Sequence, residues 1–543
     1  MSTSATSVGS RSNALPAALT KLLVHLHELA GVSDAIVDLV ESKPEMDLVK
    51  GLVRRSAELH ANVAQASHAA RGFPMPPGRD GAALVALVKD YNTRIQAGTQ
   101  AKEMVLSYWK TVDAFAGQFV AHAIENLASI AAWPSVAALR DAFRGQPAVL
   151  VSAGPSLDKN IEVIRRFKGK ALIVAASHAL LALHRAGIDP DMVVVIEAQD
   201  VRYHFEGVPV DRIGSLVLAA AVRPELFALP VERFITFAAN PMIDTWVYEG
   251  LEEHLPIRAG GSVSTVAFSV ATILGCDPII VVGQDLSFPD GRYYAATTCD
   301  GDARVALTTD GTGRVVEASE AYRKLEPEGP ENIFLREVPG YHGGSVPTSF
   351  ALRRAWAWFV DEAKRQTGER TLLNCTEGGA YIEGMEHVPL EQAAVRYARD
   401  AVAVDACVDR AVGAIDREGR RTRMSERVTD MGARIDRTVD QARQCRALAE
   451  RAKRRPAQLA PLQAAERDLT RSLESMPFLS TMVQPEVRDA MAAGKKATSV
   501  REGLDASIRL YDAVARTAVA LRAPIERALE SLRQPIVAVP RPT

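Results

Sequence analysis

The run Ala148–Ala153 (AVLVSA) leads without a break into Gly154-Pro155-Ser156-Leu157-Asp158-Lys159-Asn160, and this junction decides the fold. Short aliphatic runs, each bounded by turn residues, follow at Ala171–Ala176 (ALIVAA), Met192–Glu197 (MVVVIE), Ser215–Ala220 (SLVLAA), Phe234–Ala238 (FITFA) and Pro278–Gly283 (PIIVVG). Strands that are apolar on both faces need cover on both sides, which a parallel sheet between helices supplies. The intervening Leu157–Lys168 and Val263–Gly275 have helical spacing, so the centre of the chain reads as a doubly wound α/β domain. Ligands of such sheets lie outside the carboxyl ends of the strands, near the point where strand order reverses.

Outward from this centre the pattern is helical. Leu22, Leu23, Leu26 and Leu29 form one apolar stripe, and helices are expected over Ala82–Ala101 and Glu103–Ser129 after a break at Phe73–Gly81 (FPMPPGRDG). His25 and His27 point in different directions on a helix and read as surface or groove residues. Beyond Glu391 the helical pattern resumes to about Leu532, and Arg420–Arg427 (RRTRMSER) reads as a solvated helix face rather than an RNA site. The expected organisation is a disordered tail at 1–14, a helical domain at 15–143, a catalytic α/β domain at 144–392, a helical domain at 393–535 and a tail at 536–543.

Composition narrows the function. In 543 residues, 47% are hydrophobic and 24% charged, and 64 Lys and Arg face 66 Asp and Glu. Such a balance provides no dominant phosphate-neutralising surface, so nucleic acid is not the expected partner. The five cysteines include no CxxC pair, which points to reduced thiols in a cytoplasm. No apolar run is long enough for a membrane span, and the start lacks the pattern of a signal peptide. Oligomeric state is not legible.

Three strand ends carry polar, glycine-containing segments. Gly154 permits a tight turn, and Ser156 is placed to cap the next helix, whose free amides suit an anion; an ordinary strand-to-helix turn is the alternative. Glu197 ends the third strand, followed by Ala198, Gln199 and Asp200, where an acid suits ribose hydroxyls. Gly260-Gly261-Ser262 opens an apolar helix as a second anion-compatible start, and Gln284-Asp285 follows the run PIIVVG. His342, in Pro339-Gly340-Tyr341-His342-Gly343-Gly344, is a candidate base, while Cys375 lacks an activating signature. No metal-ligand spacing is present.

In combination, VLVSAGPSLDKNI, the segment AGIDPD before MVVVIE, GGSVSTVAFSVATILG, VVGQDLSF and NCTEGGAYIEG followed by VPLE resemble the motility-associated factor proteins of the MptE-like superfamily, over roughly residues 120–395. The resemblance implies a Rossmann-like central domain flanked by helices. The implied activity is a cytoplasmic, sialyltransferase-like glycosyltransferase moving a nonulosonic acid, of pseudaminic or legionaminic type, from a CMP-activated donor to Ser or Thr of flagellin. It implies donor contact at Gly260, Gly261 and Ser262 and a strand-end acidic motif at Gln284 and Asp285; with the strand-end reading, the expected catalytic residues are Asp285 and His342, and the expected donor-binding residues are Gly154, Pro155, Ser156, Asn160, Glu197, Gly260, Gly261, Ser262 and Gln284. No cofactor is required by this scheme. Two departures stand out: Gly291-Arg292-Tyr293-Tyr294-Ala295 where many members have a His, and Glu197-Ala198 where Asp-Pro is usual. The alternatives are a pyrophosphokinase using ATP and Mg²⁺ held by Glu197, Asp200 and Asp285, or a flagellin-binding protein without catalysis.

Overall fold

A computed structural model describes residues 17–41, 46–70, 78–239, 243–307, 312–317, 332–334 and 336–534. The tails expected at 1–14 and 536–543 lie outside the described residues. All six aliphatic runs contain strands: β1 (Ala148–Val151), β2 (Leu172–Ala176), β3 (Met192–Val195), β4 (Leu216–Ala219), β5 (Phe234–Phe237) and β6 (Ile279–Val282). Every residue of these strands is buried, the outcome their unbroken apolar character requires. After β6 come a three-stranded antiparallel sheet, β7 (Arg304–Leu307), β8 (Thr312–Glu317) and β9 (Asn332–Phe334), and a hairpin, β10 (Arg336–Pro339) with β11 (Ser345–Thr348).

The strands β12 (Leu372–Asn374) and β13 (Glu386–His387) complete an eight-stranded parallel sheet in the order β13-β12-β6-β1-β2-β3-β4-β5. Chain order runs outward from β1 to β5, then returns by the helix Val263–Ile273 to place β6 on the other side of β1. The reversal therefore falls between β1 and β6. This is a Rossmann-like doubly wound domain, with helical segments on both sides of it in the chain.

The chain divides into two compact units, residues 1–114 and 115–543. The first has the helices Ala17–Glu41 and Met46–Ala70 and most of Gly78–Glu125. Leu26, Ala30 and Tyr91 form its core, and the Arg94 guanidinium donates to Asp34. His27 reaches the Tyr91 hydroxyl at 3.1 Å. The helix Gly78–Glu125 is continuous, correcting the two helices expected there; Gly78 to Gly81 of the expected break are helical, and its remaining residues lie outside the described residues.

In the second unit the helix Arg417–Ala452 buries Met424, Val428, Met431, Ile435, Val439, Ala442, Cys445 and Ala449, a three-and-four spacing that makes one apolar stripe. This stripe shares a core with Ala220, Ile243, Val247 and Tyr248, so the helical region packs directly on the α/β layer. The expectation of a solvated arginine face is corrected here. Buried Arg420 donates to the carbonyls of Ile130, Ala131 and Trp133 at 2.8–3.0 Å and pairs with Glu253. Arg421 serves the carbonyls of Ser531 and Leu532, and Arg427 lies over the Trp246 ring. Arg420 and Arg421 thus satisfy carbonyls at helix ends, where the last turn has no partner within its own helix. Among the described residues no helix is long and apolar enough to cross a membrane.

Candidate active site

The crevice at the reversal is made by the turns after β1 and β6. The Gly154 amide donates to the Gly283 carbonyl at 2.9 Å, and Ser152 Oγ donates to Gln284 Oε1 at 2.6 Å. A Cβ at Gly154 would overlap the Asp285 carboxylate, so this glycine makes room for Asp285. Asp285 Oδ2 accepts from the Ser156 amide at 3.1 Å and from Ser156 Oγ at 2.7 Å. The capping role expected of Ser156 is corrected: its hydroxyl and the first free amide are both engaged by this carboxylate, and the side chain makes no cap bond.

Asp285 is 2% exposed, and burial raises its carboxyl to a pKa of about 6 against the opposing pull of Ser156, Lys159 and Arg292. Its second oxygen, Oδ1, is buried without a hydrogen-bond partner. Asn374, at the end of β12, which pairs with β6, has a buried Nδ2 in the same condition. An unpaired acceptor and an unpaired donor at neighbouring strand ends are open to a ligand or to water. The backbone agrees: Leu286 and Glu377, on either side of this pocket, are non-glycine residues with φ of 54° and 57°.

The loop Thr376–Gly379 closes the pocket. Asn160 Nδ2 donates to the carbonyls of Cys375 and Thr376 at 3.2 and 3.0 Å, so Asn160 holds this loop. The Gln284 amide donates to Thr376 Oγ1, and the Ala380 amide donates to the Asp285 carbonyl at 2.7 Å. Gly378 passes close to Ser156 and Asp285. The Glu377 carbonyl accepts from Lys159 Nζ, and exposed His342 brings Nε2 within 3.2 Å of it. His342 thus stands at the rim. Pro155 is buried within the turn.

Gly260, Gly261 and Ser262 open the helix Val263–Ile273, whose far end bonds to the chain entering β1, through Ile273 and Leu274 to Asp141 and Phe143. The helix start therefore lies toward the carboxyl edge. Its glycines, however, accommodate the helix Phe350–Arg365. A Cβ at Gly260 would press on Trp358, and one at Gly261 (φ 84°) would overlap the Arg354 guanidinium. Thr265 Oγ1 already accepts from the Gly260 amide at 2.8 Å.

Glu197 is half-buried just beyond β3, accepts from the Ile196 amide at 3.1 Å, and has its pKa raised by desolvation. Asp200 is held by Arg202 and Arg223, with hydrogen bonds from Arg202 lowering its pKa to about 2. Glu197, Asp200 and Asp285 do not converge on one point among the described residues.

A second cluster escaped the sequence reading. His178 follows β2, His204 follows β3, and Cys299 and Asp300 lie in the segment after β6; their ligand atoms lie within 4.8 Å of one another. Tyr294 stacks on His178 at 4.0 Å between ring centroids. This segment joins the first pocket through Asp158, which pairs with Arg292 at 2.8 Å and accepts from the Ala296 amide at 3.0 Å. Only the position of each residue after a strand end signalled it, since no local spacing links them.

Residues 121–291 match the family model described as 6-hydroxymethylpterin diphosphokinase MptE-like. Among solved structures the chain is similar to the Maf glycosyltransferase from Magnetospirillum magneticum AMB-1, with 14% identity and a TM-score of 0.42. That likeness covers 82% of this chain and 62% of the other, so this chain matches less than two thirds of its length. No curated protein matches the chain.

Proposed function

We propose, from the resemblance of the strand-end motifs to the motility-associated factor proteins of the MptE-like superfamily, that the chain is a glycosyltransferase transferring a nonulosonic acid from a CMP-activated donor to Ser or Thr of flagellin in the cytoplasm. The observation that carries this reading is the pair of unpaired buried groups at the reversal, Asp285 Oδ1 and Asn374 Nδ2. A carboxyl of pKa about 6 is mostly ionised at pH 7 yet basic enough to take a proton from an acceptor hydroxyl. Asn374 Nδ2 supplies a hydrogen bond to the donor, and the half-buried Glu197 suits a sugar hydroxyl.

The leaving CMP carries a phosphate monoester and needs cationic or amide partners rather than a strong acid. Lys159 stands at the rim for this role. Ser156 positions Asp285 rather than contacting phosphate through its amide, which is already donated. His342 lies beside the acceptor path. Gly260, Gly261 and Ser262 shape the edge through Arg354 and Trp358. The large helical surfaces are assigned to flagellin.

The description of the matched family model favours a second reading, an ATP-dependent pyrophosphokinase. That chemistry calls for carboxylates gathered around Mg²⁺. The separation of Glu197, Asp200 and Asp285 weighs against it. The assay is the full-length chain with CMP-nonulosonate and flagellin. CMP release with a matching mass increase on flagellin is the expected result, falling by about 10²–10⁴-fold in Asp285→Asn. AMP release from ATP with a pterin alcohol, and no CMP release, would reverse the assignment.

A further inference from the structure

We propose that His178, His204, Cys299 and Asp300 hold a zinc ion that ties three loops together over the carboxyl edge of the sheet. This site is independent of the transferase reading. The donors come from the loops after β2 and β3 and from the segment after β6, so one ion would join segments that are far apart in the chain.

The geometry is close to that of a bound ion. His178 Nε2 lies 3.2 Å from Asp300 Oδ2 and 3.7 Å from Cys299 Sγ, while Sγ lies 3.9 Å from Oδ2. A tetrahedral zinc with ordinary bond lengths places its ligand atoms roughly 3.3–3.6 Å apart. Small inward movements of side chains reach that arrangement.

An independent observation points to a ligand. His204 is 5% exposed, its Nδ1 lies 3.0 Å from Ser177 Oγ, and its Nε2 is buried with no hydrogen-bond partner. A histidine fixed through one ring nitrogen with the other left open is the usual arrangement of a metal ligand. Tyr203 OH donates to Asp300 Oδ2 at 3.1 Å, orienting the carboxylate in the same way.

The donor set, two imidazoles, a thiolate and a carboxylate, suits a borderline ion such as Zn²⁺ rather than Mg²⁺, which prefers oxygen alone. Binding would release the Cys299 thiol proton to solvent. With four protein ligands the site is closed, a structural role.

The test uses the full-length chain, stripped with a chelator and titrated with Co²⁺. A tetrahedral visible spectrum with a thiolate-to-cobalt charge-transfer band, displaced by Zn²⁺, is expected. Cys299→Ser should remove the charge-transfer band, and Asp300→Asn should weaken metal affinity at least about 10-fold. Cys407→Ser, on the helix Val404–Ala414, should leave the band intact. Absence of the band from the folded, stripped wild-type chain overturns the proposal, and this measurement needs no variant to fold. Persistence of the band in Cys299→Ser overturns it equally.

Discussion

Replacing Asp285 with Asn should remove one pH-dependent contribution to the stability of the second unit. The ordinary carboxyl value is 3.8 and the folded value is about 6, raised chiefly by burial. A carboxyl whose folded pKa is raised favours the folded state while protonated. That contribution is fully present below about pH 4 and is lost as pH rises through about 6. The gap corresponds to about 3 kcal/mol. Asn keeps an oxygen for Ser156 but places an amide where Oδ1 was, at a cost of about 1–3 kcal/mol if that donor stays unpaired. This cost is independent of pH, so the informative quantity is the change in the difference between the two proteins. Relative to wild type, Asp285→Asn should gain about 2 kcal/mol on going from pH 4 to pH 7. Urea titrations at steps of pH in a Trp109→Phe background, followed through the fluorescence of Trp133, Trp246, Trp356 and Trp358, read the second unit. A difference that stays constant across this range would refute the raised pKa. Loss of transfer together with retained or increased stability at neutral pH would show a buried charge kept for chemistry at the expense of the fold.

Gly261→Ala should destabilise by about 1–3 kcal/mol, because the residue has positive φ and its Cβ meets Arg354; Arg354→Ala in the same chain should recover part of the loss by calorimetry. Arg420→Ala should cost about 3–5 kcal/mol by leaving Glu253 and three carbonyls without a partner, read by the same urea titrations. Arg420→Lys should recover little of this, since one ammonium does not reproduce the guanidinium fork. His342→Ala should lower turnover less than about 10-fold in the CMP-release assay, as its ring is exposed at the rim; a loss of about 10²-fold or more would make it the base in place of Asp285.

The parallel sheet was legible because an unbroken run such as MVVVIE leaves no solvated face for the strand. The helix stripes were legible for the same reason at a different period. The pocket was half legible. Gly154, Ser156, Gln284 and Asp285 follow strand ends, and topology alone sends strand ends to one edge. Their roles were not. Local pattern offers the Ser156 amide to an anion from outside, whereas the nearest anion is the Asp285 carboxylate, from a strand far along the chain. Gly261 has the character of a ligand-facing glycine, yet it clears space for Arg354. The arginines of RRTRMSER look like surface charge, but the carbonyls that Arg420 serves belong to a helix end near residue 131.

Periodicity and strand-end position are properties of neighbouring residues, so the amino-acid sequence by itself determined the doubly wound sheet and the edge at which its polar turns gather. Partner choice depends on residues brought together by the crossing connections. Only the tertiary structure decided that Asp285 is buried with one free oxygen, that Asn160 holds a loop, and that His178, His204, Cys299 and Asp300 meet. Burial and long-range pairing set the charge and the open valences of these groups, and neither quantity is written in local spacing.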